Sequence, residues 1–417
     1  MKNIIKNIYD NHLYAVSLYA RQAAGTVILL LIARYLSVHD FGLFSSYKNI
    51  AVFCFLFANL GFSEYILVSS KADVKEVKFK ISIFLVNAVF WGVLTILCSS
   101  FAALESRFLF ALTVIRTFFD GVFFALILPY FQAAKKFKTI GLINIIYSIG
   151  LIAAAVISYI FKLSLAQFLI LNIILGAVNF IQCSIYAKIN YFLFFGHIKR
   201  FLKKLDKSIF AFMGVTAAYF LYAQIPPLYV SVFLSKEDAA LYFSAYTIAN
   251  LVFLLSGAQV QKITPELIKC SAQEADKILK QNLIFVLKCA FVFLVFIIFF
   301  GGSILSLIYG NVYYSNAGII LSLMLFSNIC CAEGSIYGAY LTASGRQKKK
   351  IPIQLETAAI TAIGLAVFHK YGLYGAVYAF LLSAVYISSR YVIYTRKVLK
   401  YDKEEAMKKG GLNAEKL

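Results

Sequence analysis

Twelve apolar runs of membrane-spanning length follow one another along the chain, with only short polar turns between them. They fall at about 12–36, 42–69, 79–103, 108–133, 139–161, 165–190, 209–234, 239–263, 282–306, 314–343, 351–368 and 373–395. About 30 Å of hydrocarbon is crossed by roughly 20 helical residues, so each run is read as a span. Several are longer than needed, as tilt or cytoplasmic extension requires. A water-soluble core cannot absorb such a pattern. Of 417 residues, 61% are hydrophobic and 14% charged, against roughly 25% charged in soluble domains. The first run lacks a small-residue cleavage site and is expected to be retained.

The net charge of +21 would suggest nucleic acid in a soluble protein. Here the basic residues lie in alternate turns, so they set topology and no nucleic-acid partner is expected. With the N-terminus inside, thirty of the 40 Lys and Arg fall on the cytoplasmic side, among them Lys71, Lys75, Lys78, Lys80, Lys135, Lys136, Lys138, Arg346 and Lys348. The opposite turns hold only Arg107, Lys162, Lys236 and Lys370. Both termini are therefore expected in the cytoplasm, in a multi-pass membrane protein. The seven cysteines form no CxxC pair and read as small packing residues, not a metal site.

The chain repeats itself. YLSVHDFGLFSSYKNI at 35–50 aligns without a gap on FLSKEDAALYFSAYTI at 233–248, matching at six positions that include Ser37/Ser235 and Asp40/Asp238. Ser-x-x-Asp is a helix-opening pattern, and it falls between the first and second span of each half. A weaker echo sets YFQAAKKFK from Tyr130 against YLTASGRQK from Tyr340, each after the fourth span of its half. Six spans is an even number, so the halves are parallel repeats, a plan in which transporters bind substrate between lobes. The expected architecture is thus all-α and polytopic, with about 12 transmembrane helices around a central cavity. Its parts are an N-terminal six-helix lobe (1–190), a basic cytoplasmic linker (191–208), a C-terminal six-helix lobe (209–396) and a cytoplasmic tail (397–417).

Several of these segments resemble flippases that move lipid-linked sugars. They are ARYLSVHDFGLFSSYKNI, FSAYTIANLVFLLSGAQVQKITPEL, IYGNVYYSNAGIILSLML, YLTASGRQKKKIP and YGLYGAVYAFLLS. The resemblance spans nearly the whole chain. It is to the O-antigen and polysaccharide flippases of the multidrug/oligosaccharidyl-lipid/polysaccharide exporter superfamily. It implies two lobes forming a V, alternating access, and undecaprenyl-pyrophosphate-linked oligosaccharide as cargo. The first, second, seventh and eighth helices would line the cavity. Peptidoglycan-precursor flippases of the superfamily usually carry two further C-terminal helices, which the polar tail after Tyr394 does not offer.

Ionisable groups at bilayer depth cost several kcal/mol unless they meet water or a partner. Arg21, Lys48 and Arg116 are cations of the N-terminal half placed to meet a pyrophosphate. Arg116 reads equally as a structural bridge to Asp120, one helical turn on, and Lys48 as a snorkelling anchor. Asp120, Glu333, Glu356 and Glu64 are the carboxylates that coupling to H+ or Na+ would use. Lys288 and Arg390 are candidate partners for Glu333. Pro226 and Pro227 interrupt the seventh span beside Tyr222 and Gln224, either lining a sugar path or forming a static kink. Gln259 is a further sugar-contact candidate.

No P-loop, zinc spacing or serine triad is present, so no cofactor and no enzymatic activity are expected. A multidrug exporter of the same superfamily is the alternative, but its usual cargo is cationic and the intramembrane cations oppose it. A membrane-embedded polysaccharide polymerase or acyltransferase is a third reading, for which the large external loop is missing. Expected partners are membrane lipids, the lipid-linked oligosaccharide, and a polysaccharide polymerase with its chain-length regulator. O-antigen, capsule and other glycans fit the sequence equally.

Overall fold

The computed structural model describes residues 17, 20–21, 23–59, 61–62, 65–66, 73–99, 104–188, 208–310 and 312–414. Among them twelve helices follow the twelve apolar runs in order. They are α1 (Ala23–Tyr35), α2 (Val38–Cys54), α3 (Val74–Cys98), α4 (Arg107–Ala133), α5 (Phe137–Phe161), α6 (Leu165–Ala187), α7 (Ser208–Phe233), α8 (Lys236–Ile268), α9 (Ala272–Tyr309), α10 (Gly318–Ala343), α11 (Lys350–Phe368) and α12 (Gly372–Ala414). The protein is an all-α polytopic membrane protein. Phe90, Leu97, Ile160, Phe291, Val292 and Phe299 are among many large apolar side chains left exposed, which lipid solvates and water would not.

Local chemistry sets the helix ends. Ser37 Oγ accepts from Asp40 N at 3.0 Å and donates to Asp40 Oδ2 at 2.7 Å. Ser235 repeats this with Asp238 at 3.0 and 2.9 Å. The Ser-x-x-Asp repeat is therefore one N-cap built twice. The weaker echo is also structural. Lys135 N and Lys136 N donate to Gln132 O and Phe131 O at 3.1 and 2.9 Å. Gly345 N and Arg346 N donate to Thr342 O and Leu341 O at 3.1 and 2.8 Å. Both turns are Schellman motifs, with Lys135 (φ 52°) and Gly345 (φ 73°) in the left-handed position.

The chain divides into two compact units. The first holds Met1–Ala217, Ser231–Ala240 and Ile308–Gly310; the second holds Ala218–Val230, Leu241–Leu307 and Asn311–Leu417. Ser231–Ala240 joins the first unit by packing on α2. Gly42 lies against the Lys236 carbonyl, where a Cβ would collide. Asn49 Nδ2 donates to Ser231 Oγ at 3.4 Å. In the second unit, Asn328 of α10 donates to Asn250, at the break in α8, at 3.1 Å. The end of α12 is held by Asp402, which accepts both Arg346 Nη1 and Nη2 at 2.7 Å and the Tyr340 hydroxyl at 2.7 Å. This fork-to-fork pair keeps Arg346 protonated above the ordinary guanidinium range. The middle linker, apart from the opening of α7, lies outside the described residues.

Candidate functional site

The first unit brings Arg21, Lys48, Arg116 and Asp120 together, from the chain before α1, from α2 and from α4. The backbone of α4 is not regular there: Phe118–Val122 forms one π-helical turn between two α-helical stretches. Such a turn loosens the i→i+4 ladder and recurs at functional sites. Arg21 Nη2 donates to the Asp120 carbonyl within this turn. It also lies 3.4 Å from Asp120 Oδ1, while Nη1 donates to Asn144 Oδ1 at 3.4 Å. The guanidinium stacks 3.8 Å above the Phe124 ring and 5.1 Å from that of Tyr147, a cation–π placement that favours the charged head out of water. The Tyr147 hydroxyl donates to Asp120 Oδ1 at 3.3 Å.

Arg116 reaches the other carboxylate oxygen at 3.8 Å. An ordinary α-helix would favour this i,i+4 pair; with the π turn intervening, the contact is long and Arg21 is the carboxylate's nearer partner. Arg116 is 6% exposed. It packs under Phe44 and Phe168, and its Nε has no hydrogen-bond partner. Lys48 is half-buried, within electrostatic range of both Arg116 and Asp120. Among the described residues the cluster thus holds three cations against one carboxylate, an excess of two positive charges. A Cβ added at Gly121, next to Asp120, would meet nothing within 4 Å among the described residues.

Glu333 and Glu356 belong to the second unit. Glu356 accepts two bonds from Arg390, at 3.0 and 3.1 Å, and one from Tyr386 at 2.7 Å. Arg390, proposed from sequence as a partner of Glu333, therefore pairs with Glu356 and ties α11 to α12. Glu333 accepts from the Ser388 hydroxyl at 2.7 Å, and Lys288 is exposed on α9. Glu64 lies outside the described residues.

The second unit contains a cavity of ≈ 340 Å³ walled by α7, α8, α10, α11 and α12. Tyr222 lines it; Gln224 and Gln259 do not. Gln224 Oε1 is buried without a partner, and Gln259 is half-buried on α8. Pro226 and Pro227 lie within a helix that continues to Phe233.

Sequence reasoning missed Asn144 and Tyr147 in the first unit and Tyr219, Lys350, Gln354 and Tyr391 in the second. A signal existed for two pairs. Asn144 and Tyr147 stand three apart on one face of an otherwise apolar helix. Lys350 and Gln354 stand four apart at the opening of α11.

No family model matches the sequence, and a search of curated proteins returns no match. Solved structures do match. The lipid II flippase MurJ in an inward closed conformation superimposes with a TM-score of 0.69 at 17% identity, over 92% of this chain and 87% of that one. An inward-facing multidrug resistance MATE transporter of the MOP superfamily gives 0.64 at 14% identity, over 92% and 96%. A MATE transporter of Vibrio cholerae gives 0.62 at 13% identity, over 96% and 97%. The chain has the fold of MOP-superfamily transporters.

Proposed function

We propose that the protein is a flippase carrying an undecaprenyl-pyrophosphate-linked oligosaccharide, an O-antigen or similar polysaccharide repeat unit, across the bacterial inner membrane by alternating access. The observation that carries this reading is the excess of two positive charges around Asp120. Arg21 and Arg116 offer planar forks suited to phosphate oxygens, and Lys48 offers a compact point charge. In a partly desolvated site each cation attracts the headgroup by about 4 kcal/mol at 4 Å with an effective dielectric of 20, enough to hold a pyrophosphate and little enough to release it. Asp120 is the internal anion that keeps the cations in place between cargoes. A pyrophosphate drawing Arg21 away would hand Asp120 to a proton or Na+, which couples cargo to an ion.

The likeness in fold to a lipid II flippase supports a lipid-linked cargo, and the likeness to MATE transporters supports multidrug export. The sign of the cluster favours the first, since a cationic drug would be repelled. Both termini lie in the cytoplasm, and a polysaccharide polymerase with its chain-length regulator receives the flipped cargo. The test is complementation of a flippase-null strain, read as surface glycan on a gel, with membrane abundance checked by immunoblot. Wild type should restore the ladder, and Arg21→Ala should not while remaining in the membrane. Full glycan display by Arg21→Ala would overturn the reading.

A further inference from the structure

The cavity of the second unit has no assigned role in moving a pyrophosphate, and its walls have a chemistry of their own. Three tyrosines face it, Tyr219 and Tyr222 from α7 and Tyr391 from α12. Lys350 and Gln354 reach it from the first turns of α11, and Ser335 and Thr342 from α10. Among the described residues no Asp or Glu lines it. Gly334 and Gly338 make the room: a Cβ on Gly338 would stand 3.6 Å from the Tyr391 ring and 3.7 Å from Lys350 Nζ.

Gln354 is 6% exposed; its side chain is hydrogen-bonded with Tyr391 and its Oε1 is buried. One group in the wall is incompletely matched. Lys350 Nζ donates to the neutral Thr342 hydroxyl at 2.6 Å and makes no ion pair among the described residues. The cavity therefore offers flat aromatic faces, side-chain hydroxyls, and one cation without a carboxylate among the described residues.

We infer that this cavity binds one acidic sugar residue, a hydroxylated ring bearing a single carboxylate. The ring's C–H face packs on tyrosine, whose aromatic face carries negative charge density and whose hydroxyl is a polar handle. Ring hydroxyls meet the hydroxyls of the wall, such as those of Ser335 and Tyr391, and the carboxylate meets Lys350. At ≈ 340 Å³ the space is at the low end of small-molecule sites, which begin near about 300 Å³, and suits one sugar rather than a chain. This deepens the flippase reading and rests on it for the cargo's being a glycan.

The test uses full-length protein in detergent, with free glucuronate, free glucose and inorganic phosphate as probes and saturation-transfer NMR as readout. Glucuronate should bind about tenfold or more tightly than glucose, and phosphate should not displace it. K350Q should lower glucuronate affinity to that of glucose, whereas K348Q, a neighbouring exposed lysine, should change nothing. Equal binding of the two sugars, binding of neither, or displacement of glucuronate by phosphate would each overturn the proposal. The selectivity of the unmutated protein decides the matter even if K350Q does not fold. Free-sugar binding requires no pyrophosphate, so its failure is separate from a failure of glycan display in Arg21→Ala.

Discussion

In the first unit three cations crowd a single carboxylate, whereas the cavity of the second is walled by tyrosines, a glutamine and one lysine. The same helix-opening cap and the same helix-closing turn occur in both halves of the chain, so one scaffold carries two chemistries. The difference lies in a few side chains and in one backbone irregularity. The π turn in α4 frees the Asp120 carbonyl for Arg21; α10 instead uses Gly334 and Gly338 to open space beside Tyr391. A fixed charge excess suits a headgroup whose charge never varies. A weakly polar aromatic cavity suits a glycan, which binds by many modest contacts.

The sharpest way to break this contrast is charge reversal at Lys48. Lys48→Glu turns the cluster's excess of two into balance and sets a carboxylate where the proposed pyrophosphate would pass. Glycan display should fall by about 100-fold or more, since two lost charge-assisted contacts at about 1.5–3 kcal/mol each exceed what transport tolerates. Lys48→Ala should be milder. Normal display by Lys48→Glu would reduce Lys48 to a snorkelling anchor and remove the asymmetry's meaning.

Arg21→Lys sharpens the same contrast at smaller scale. The charge survives, but the fork that spans Asn144 and Asp120 is lost. Display should drop about tenfold, one lost charge-assisted hydrogen bond, and less than in Arg21→Ala. Equal loss in the two variants would mean that geometry, not charge, governs the cluster.

Much of this architecture is legible in the amino-acid order, and the missing parts have physical reasons. The twelve helices follow from apolar run length alone, because lipid admits little else. The Ser-x-x-Asp cap is local, so four residues suffice to specify it. Arg116 and Asp120 are visible as an i,i+4 pair, but Arg21 joins them from 99 residues away, and nothing local in the sequence encodes that approach. The π turn is hidden as well, with only Asp120-Gly121 inside an apolar run to hint at an irregular helix. Arg390 reads from sequence as a candidate partner of Glu333, whereas packing of α11 on α12 gives it to Glu356. The C-terminal cavity depends on five helices meeting, so of its three tyrosines only Tyr222, beside the proline pair, is legible in the sequence.

The two closing turns differ in what holds them, and stability should report it. Arg346 is clasped bidentately by Asp402, whereas its counterpart Lys136 donates to the Tyr130 hydroxyl at 3.2 Å and lies 5.5 Å from the same ring. Arg346→Ala should therefore cost about 1.5–3 kcal/mol, the range for hydrogen bonds to charged groups. Lys136→Ala should stay within about 0.5 kcal/mol, as for exposed polar sites. Thermal melts of the purified variants measure both. Comparable losses would mean that Asp402 does not anchor the end of α12.

The smallest expected effect isolates the backbone. Lys135 and Gly345 occupy the same left-handed position of the same motif, but only glycine enters that region without a Cβ penalty, which for other residues is about 1–2 kcal/mol. Lys135→Gly relieves that penalty and gives back part of it through the greater freedom of glycine in the unfolded chain, about 0.5–1 kcal/mol. The net gain should be a few tenths to about 1 kcal/mol by the same balance. Gly345→Lys should lose a similar amount. A Cβ at Gly345 meets nothing within 4 Å, so no clash contributes and the cost reports φ alone. The melting temperature should rise in the first variant and fall in the second, by about 1–2 °C for a chain of this size, and the double swap should return close to wild type because the turns are independent. If Lys135→Gly instead destabilises, the turn after α4 draws on the lysine side chain, and the two halves differ there by function and not only by backbone.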